Sequence, residues 1–166
     1  MILFGVDPGT SVTGYGVIRA ENNTVSWVDS GTIKPCSNGT LADKLFDIFH
    51  GLEKKIREFS PTSVCVEQAF YAKNVRTTLI LGHARGVALL AARCAGAHIM
   101  EFTPRVIKKS IVGNGNAGKD QVTYMVKMLL SPAKSHSHAD AYDALAVALC
   151  GMYHLPFSNR AREQVP

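Results

Sequence analysis

The period of the apolar residues changes once in the first half of the chain, and this change restricts the fold more than any other feature. Residues 2–6 form a short apolar run closed by Asp7-Pro8-Gly9, the mark of a strand followed by a turn. Tyr15–Ile18 and Val25–Val28 are two further β-prone segments, joined by a polar Glu21-Asn22-Asn23 turn. Segments this closely spaced favour an antiparallel meander, because a parallel connection needs a long crossover. From Leu41 the spacing becomes helical: Leu41, Leu45, Ile48, Phe49, Leu52, Ile56 and Phe59 recur at three and four residues. Ser60-Pro61 ends that helix, and Val64-Cys65-Val66 reads as a buried strand running into Glu67.

Residues 77–97 predict a second helix that is apolar on almost every side, with Gly82, Ala84, Gly86, Ala88, Ala91 and Ala92 admitting close neighbours. A helix with so little polar face is expected to pack on two sides, one against the sheet and the other against a second subunit. Ile99–Phe102 makes a fifth strand, and Thr103-Pro104 supplies an N-cap with proline at the first helical position. Residues 113–118 are a glycine-rich loop, followed by helices at about 119–130 and 139–153. The order β-β-β-α-β-α-β-α-α-α predicts an α/β domain over residues 1–155, a mixed five-stranded sheet flanked by helices. Residues 156–166 are expected to be a flexible tail.

With 166 residues, 46% hydrophobic and 19% charged, the chain suits one ordinary globular core. No run approaches the roughly 20 apolar residues of a membrane span, and the N-terminus lacks the basic flank and cleavage site of a signal peptide. Cys36, Cys65, Cys94 and Cys150 are widely spread without CxxC spacing, so free thiols in a reducing cytoplasm are expected. The net charge of +5 is unevenly placed. Residues 1–67 hold six Lys/Arg and eight Asp/Glu, whereas residues 68–139 hold ten Lys/Arg against Glu101 and Asp120 alone. A block of this sign suits a polyanion, whose phosphates it would neutralise, and equally a solvated basic face.

Four acids stand out by position. Asp7 closes the first strand, Glu67 closes the fourth, and Asp140 and Asp143 lie three apart near the start of the last helix, which places them on one helix face. If the first and fourth strands are neighbours, all four meet at one sheet edge. Carboxylates that close repel unless hard cations neutralise them. The pattern suits two magnesium ions about 3.5–4 Å apart, with manganese as a substitute. Taken singly, each acid has a plainer reading: Asp7 as an Asx-turn residue, Asp140 as a charge favourable to the helix N-terminus. Asp143, among Ala141, Tyr142, Ala144 and Leu145, has little reason to be there without a partner.

At this point the chain resembles a known family. Phe4-Gly5-Val6-Asp7-Pro8-Gly9-Thr10 with Thr13-Gly14-Tyr15-Gly16 is similar to the opening of RuvC resolvases. So are Val66-Glu67-Gln68-Ala69-Phe70, Leu81-Gly82-His83-Ala84-Arg85-Gly86-Val87, Thr103-Pro104-Arg105, Gly118-Lys119 and Asp140-Ala141-Tyr142-Asp143-Ala144-Leu145-Ala146, in order along the chain. The resemblance implies a ribonuclease H-like fold and a homodimer that resolves four-way Holliday junctions by paired symmetric nicks, alongside the branch-migration proteins RuvA and RuvB. It implies that Asp7, Glu67, Asp140 and Asp143 bind the metal, with Lys119 as a further catalytic group and Lys108 beside it on the substrate phosphate. Phe70 matches an aromatic placed near the junction centre. Tyr71 shares that role or packs in the core, and Lys73 and Arg76 are expected as further DNA contacts.

Three histidines are less defined. His136 and His138 flank Ser137 ahead of the acidic pair and read as polar loop residues or as auxiliary groups at the metal, the former favoured. His83 reads as a packed or interface residue. Among competing functions, an actin-like phosphotransferase shares the Asp7-Pro8-Gly9-Thr10 turn but needs two lobes, and no Walker-type loop is present. A non-catalytic junction-binding module would do better with fewer acids near phosphate. The runner-up is another nuclease of the same fold, acting on RNA–DNA hybrids or damaged DNA.

Overall fold

Strand alternation in the first element decides which side of the sheet each later helix must cover. The computed structural model describes residues 1–22, 24–68, 74–131 and 138–155. β1 (Ile2–Asp7) pairs antiparallel with β2 (Thr13–Glu21), which pairs antiparallel with β3 (Thr24–Ile33), completing the expected meander. β4 (Ser63–Glu67) joins the other side of β1 in parallel, and β5 (His98–Phe102) joins β4, giving the order β3-β2-β1-β4-β5. β2 and β3 extend beyond their apolar segments, because the ladder is made by backbone groups and continues through polar residues such as Arg19 and Ser26.

α1 (Leu41–Phe59) starts at a capping box, in which Thr40 Oγ1 accepts from Asp43 N–H and Asp43 Oδ2 accepts from Thr40 N–H. α2 (Val75–Cys94) begins at Asn74 and stops three residues short of its predicted end, where Gly96 turns the chain at φ +75°. α3 (Pro104–Val112) begins at Thr103 as expected, followed by α4 (Lys119–Leu130) and α5 (Ala139–His154).

Each face of the sheet has its own core. Phe4, Val6, Val64 and Val66 pack on Ile48, Leu52 and Ile56 of α1 and on Ala88, Ala91 and Ala92 of α2. Leu3, Cys65 and Phe102 pack on the opposite side with Leu145 and Leu149 of α5, and behind them lie Ile107 and Ile111 of α3 and Val122 and Val126 of α4. Full burial of each leucine contributes about 1.5–3 kcal/mol. α5 is therefore covered on two sides, which explains why nearly all of 141–152 is apolar and buried. The thiols of Cys65 and Cys150 are buried and those of Cys36 and Cys94 exposed, all four free. Burial pushes Cys65 up to about 12 and Cys150 to about 11, which leaves both unreactive. Among the described residues no helix is long and apolar enough to cross a membrane.

Candidate metal centre and nucleic-acid interface

The pleat of β1 sends Phe4 and Val6 toward α1 and α2, and Leu3, Gly5 and Asp7 toward α5. β4 runs parallel to β1 with Val6 opposite Val66, so Asp7 and Glu67 finish adjacent strands at the same edge. The approach of α5 is set by glycine. A Cβ on Gly5 would strike the Ala144 carbonyl and lie 2.7 Å from the Ala148 nitrogen. One on Gly16 would lie 2.7 Å from the Leu145 nitrogen, and one on Gly14 would meet the Asp140 carbonyl. These three residues form a flat seat on β1 and β2, and α5 rests on it backbone to backbone. The seat carries the first turn of α5 to the end of β1.

Asp7, Asp140 and Asp143 consequently each offer an oxygen within 4.8 Å of the others. Glu67 stands outside this grouping of three but close enough for its charge to act on Asp7. Lys119, the first residue of α4, forms an ion pair with Asp143, which holds its ammonium above the ordinary lysine value. The acids are strained electrostatically. Burial, then Glu67, Asp143 and Asp140, push Asp7 up to about 8 against the opposing charge of Lys119. Glu67 is raised by burial and by Asp143, with Asp7, Lys119 and Lys108 opposing. Asp143 is also raised by burial, with Lys119 the chief opposition. Three partly buried carboxyl groups around one point, with Glu67 nearby and oxygen as the only donor atom, fit a hard divalent cation, since one lysine pair leaves most of the negative charge unmatched.

Lys108 of α3 and Lys119 are both close enough to the acids to lower Glu67 and Asp143. Arg76 is exposed in the first turn of α2. Phe70, Tyr71, Lys73, His136 and the tail 156–166 lie outside the described residues. Arg85, counted in the basic block, is ion-paired with Glu101. His83 is exposed rather than packed within the chain, because its side of α2 faces away from the sheet. Sequence reasoning missed Lys34, which stands in the acidic half of the chain yet lies 3.0 Å from His138 Nε2 beside α5. No local pattern announces that contact.

A mixed five-stranded sheet with carboxylates gathered where its central parallel strands end defines a nuclease of the ribonuclease H-like class. The chain belongs to the RuvC family: the family model described as crossover junction endodeoxyribonuclease RuvC matches residues 3–151. It is 43% identical over 150 residues to a protein of that name from Ruminiclostridium cellulolyticum, covering 90% of each. It is 44% identical to the one from Legionella pneumophila strain Corby, covering 90% of this chain and 85% of the relative. In three dimensions it matches Thermus thermophilus RuvC in complex with Holliday junction substrate, with a TM-score of 0.85, 26% identity, and coverage of 96% of this chain and 95% of that one. Membership over that length sets aside the phosphotransferase reading.

Proposed function

We propose that the chain resolves Holliday junctions in recombination and repair by metal-dependent phosphodiester hydrolysis, nicking two opposed strands symmetrically. The observation that carries this reading is the oxygen-only cluster of Asp7, Asp140 and Asp143, flanked by Glu67, on a RuvC-family fold. Two magnesium ions held by Asp7, Glu67, Asp140 and Asp143, with manganese as a substitute, would activate a water and neutralise charge at the scissile phosphate. A new bond forms between the water oxygen and phosphorus as the bond to the 3′ oxygen breaks, leaving a 5′-phosphate and a 3′-hydroxyl. The rigid seat of α5 keeps Asp140 and Asp143 in register with Asp7. Lys119 and Lys108 add positive charge where the phosphoryl oxygens must sit.

A junction has two equivalent scissile phosphates, so a twofold dimer offers one site to each. The outer side of α2 supports that assembly: Val75, Leu79 and Leu90 are 77%, 61% and 54% exposed. A Cβ on Gly82 or Gly86 would meet nothing within 4 Å. Phe70, with Tyr71 beside it, would stack on an unpaired base at the junction centre, worth roughly 1–3 kcal/mol. Lys73 and Arg76 would neutralise phosphates nearby. The nuclease unit spans residues 1–155 and works in the cytoplasm with RuvA and RuvB.

The test is a synthetic four-way junction with end-labelled strands, incubated with magnesium or with chelator. Plain duplex and an RNA–DNA hybrid serve as controls. Paired, magnesium-dependent nicks in opposed strands, lost in Asp7→Asn, are the expected result. Binding without cutting would leave a scaffold, and cleavage of the hybrid would assign a different nuclease of this fold.

A further inference from the structure

β3 ends at Ile33, which pairs with Thr13 at the start of β2, and the next β2 residue, Gly14, lies against the backbone of Asp140. The segment leaving β3 therefore passes beside the N-terminus of α5 and its acids. It is anchored on both sides of Lys34. Ile33 belongs to the ladder, Pro35 is buried, and Cys36 N–H donates to Asp47 Oδ2 at 2.9 Å. The backbone of Lys34 is thus held while its side chain is exposed.

The Lys34 ammonium lies 3.0 Å from Nε2 of His138, the N-cap residue of α5. An ammonium has three donors and no acceptor, so Nε2 must accept and the ring proton resides on Nδ1. Among the described residues no carboxylate lies within ion-pair distance of Lys34. Lys55, by contrast, meets Asp29 and Glu58, and Arg57 meets Glu53. An accepting imidazole aims the cation without neutralising it and leaves two of its N–H groups for another acceptor. A cation with no acidic partner among the described residues, held at the rim of an acidic site, suits the anion that site must admit, because the acids alone would repel it. Lysine serves phosphate as a point charge, with little demand on approach angle.

We infer that Lys34 contacts a backbone phosphate of the junction strand entering the metal centre, with His138 as the positioning residue that aims it. This rests on the nuclease reading above, and it adds a cation from the end of β3 to those that α3 and α4 supply. The contact positions the strand and carries no sequence information.

The experiment measures junction affinity in chelator over a range of salt for wild type, Lys34→Gln, Lys34→Arg and His138→Ala, with thermal midpoints taken in parallel. Lys34→Gln should weaken binding several-fold and reduce the salt slope by about 1, with its midpoint unchanged. Lys34→Arg should restore the slope. His138→Ala keeps the charge and loses its aim, so affinity falls less and the slope stays. A wild-type slope in Lys34→Gln, whether or not its midpoint falls, would reduce the pair to a structural tie and overturn the inference. Failure of the wild type to bind the junction, or to cut it once magnesium replaces the chelator, would instead remove the nuclease reading, and the wild-type lane alone reveals it.

Discussion

α2 and α5 are both apolar helices rich in alanine and glycine, yet only one of them is enclosed. α5 is buried along nearly its whole length between the sheet and the α3–α4 pair, whereas α2 buries Ala84, Ala88, Ala91 and Ala92 and leaves its other side open. Small residues serve the two helices differently. Beneath α5 the glycines are on the strands, and they let the helix backbone touch the sheet. On α2 they face outward, where none of the described residues lies against them. An apolar stripe with no partner among the described residues is a surface for another molecule, and the proposed dimer rests on it.

The contrast can be broken at several points. Gly5→Ala forces a Cβ into the backbone of Ala144 and should cost about 3 kcal/mol or more. Scanning calorimetry would show this as a midpoint lowered by roughly 10 °C. A variant of wild-type stability would mean that α5 is not seated as described. Asp7→Asn keeps the shape of the site and removes its central charge, so junction cleavage should fall by at least about 100-fold while binding persists. Near-normal cutting would take Asp7 out of the metal set.

The electrostatics of the α5 seat predict a pH effect. Asp7 titrates near about 8 in the folded protein, far above an unfolded aspartate, so the folded state holds the extra proton between those values. Metal-free protein should therefore lose stability, on the order of 1–3 kcal/mol, as pH rises from about 4 to about 8. Magnesium should restore it, and Asp7→Asn should flatten the dependence. Denaturant titrations of the metal-free protein that are level across that range would contradict the crowding of the acids.

Smaller effects are expected on α2. Leu79→Glu places a charge on the open face and should weaken dimerisation by about tenfold or more, roughly 1.4 kcal/mol. Chain stability should change by less than about 0.5 kcal/mol. Sedimentation of an unaltered dimer would move the interface elsewhere. Gly82→Ala is the gentlest probe: alone it should stabilise the helix by roughly 0.5–1 kcal/mol. If a partner helix packs closely there, that gain is offset by weaker association.

Much of this was legible in residue order. The meander, the helix at 41–59, the Thr103-Pro104 start and the candidate acids all follow from patterns within a few residues of each other. The expectation of two-sided packing was attached to α2, because it has so little polar face, with the sheet on one side and a second subunit on the other. Within the chain it is α5 that is covered on two sides, and composition registers that a helix is apolar but not which neighbour covers it.

Periodicity is a local property, imposed by strand alternation and the helical repeat, so the sequence by itself determined the elements, their order and the residues able to bind a cation. Only the tertiary structure decided which of them meet. Asp7 reaches Asp140 and Asp143 because glycines on two strands match the backbone of a helix far along the chain. Lys34 reaches His138 across 104 residues for the same reason. Contacts of that kind depend on how completed surfaces fit, and no local pattern of residues encodes the fit.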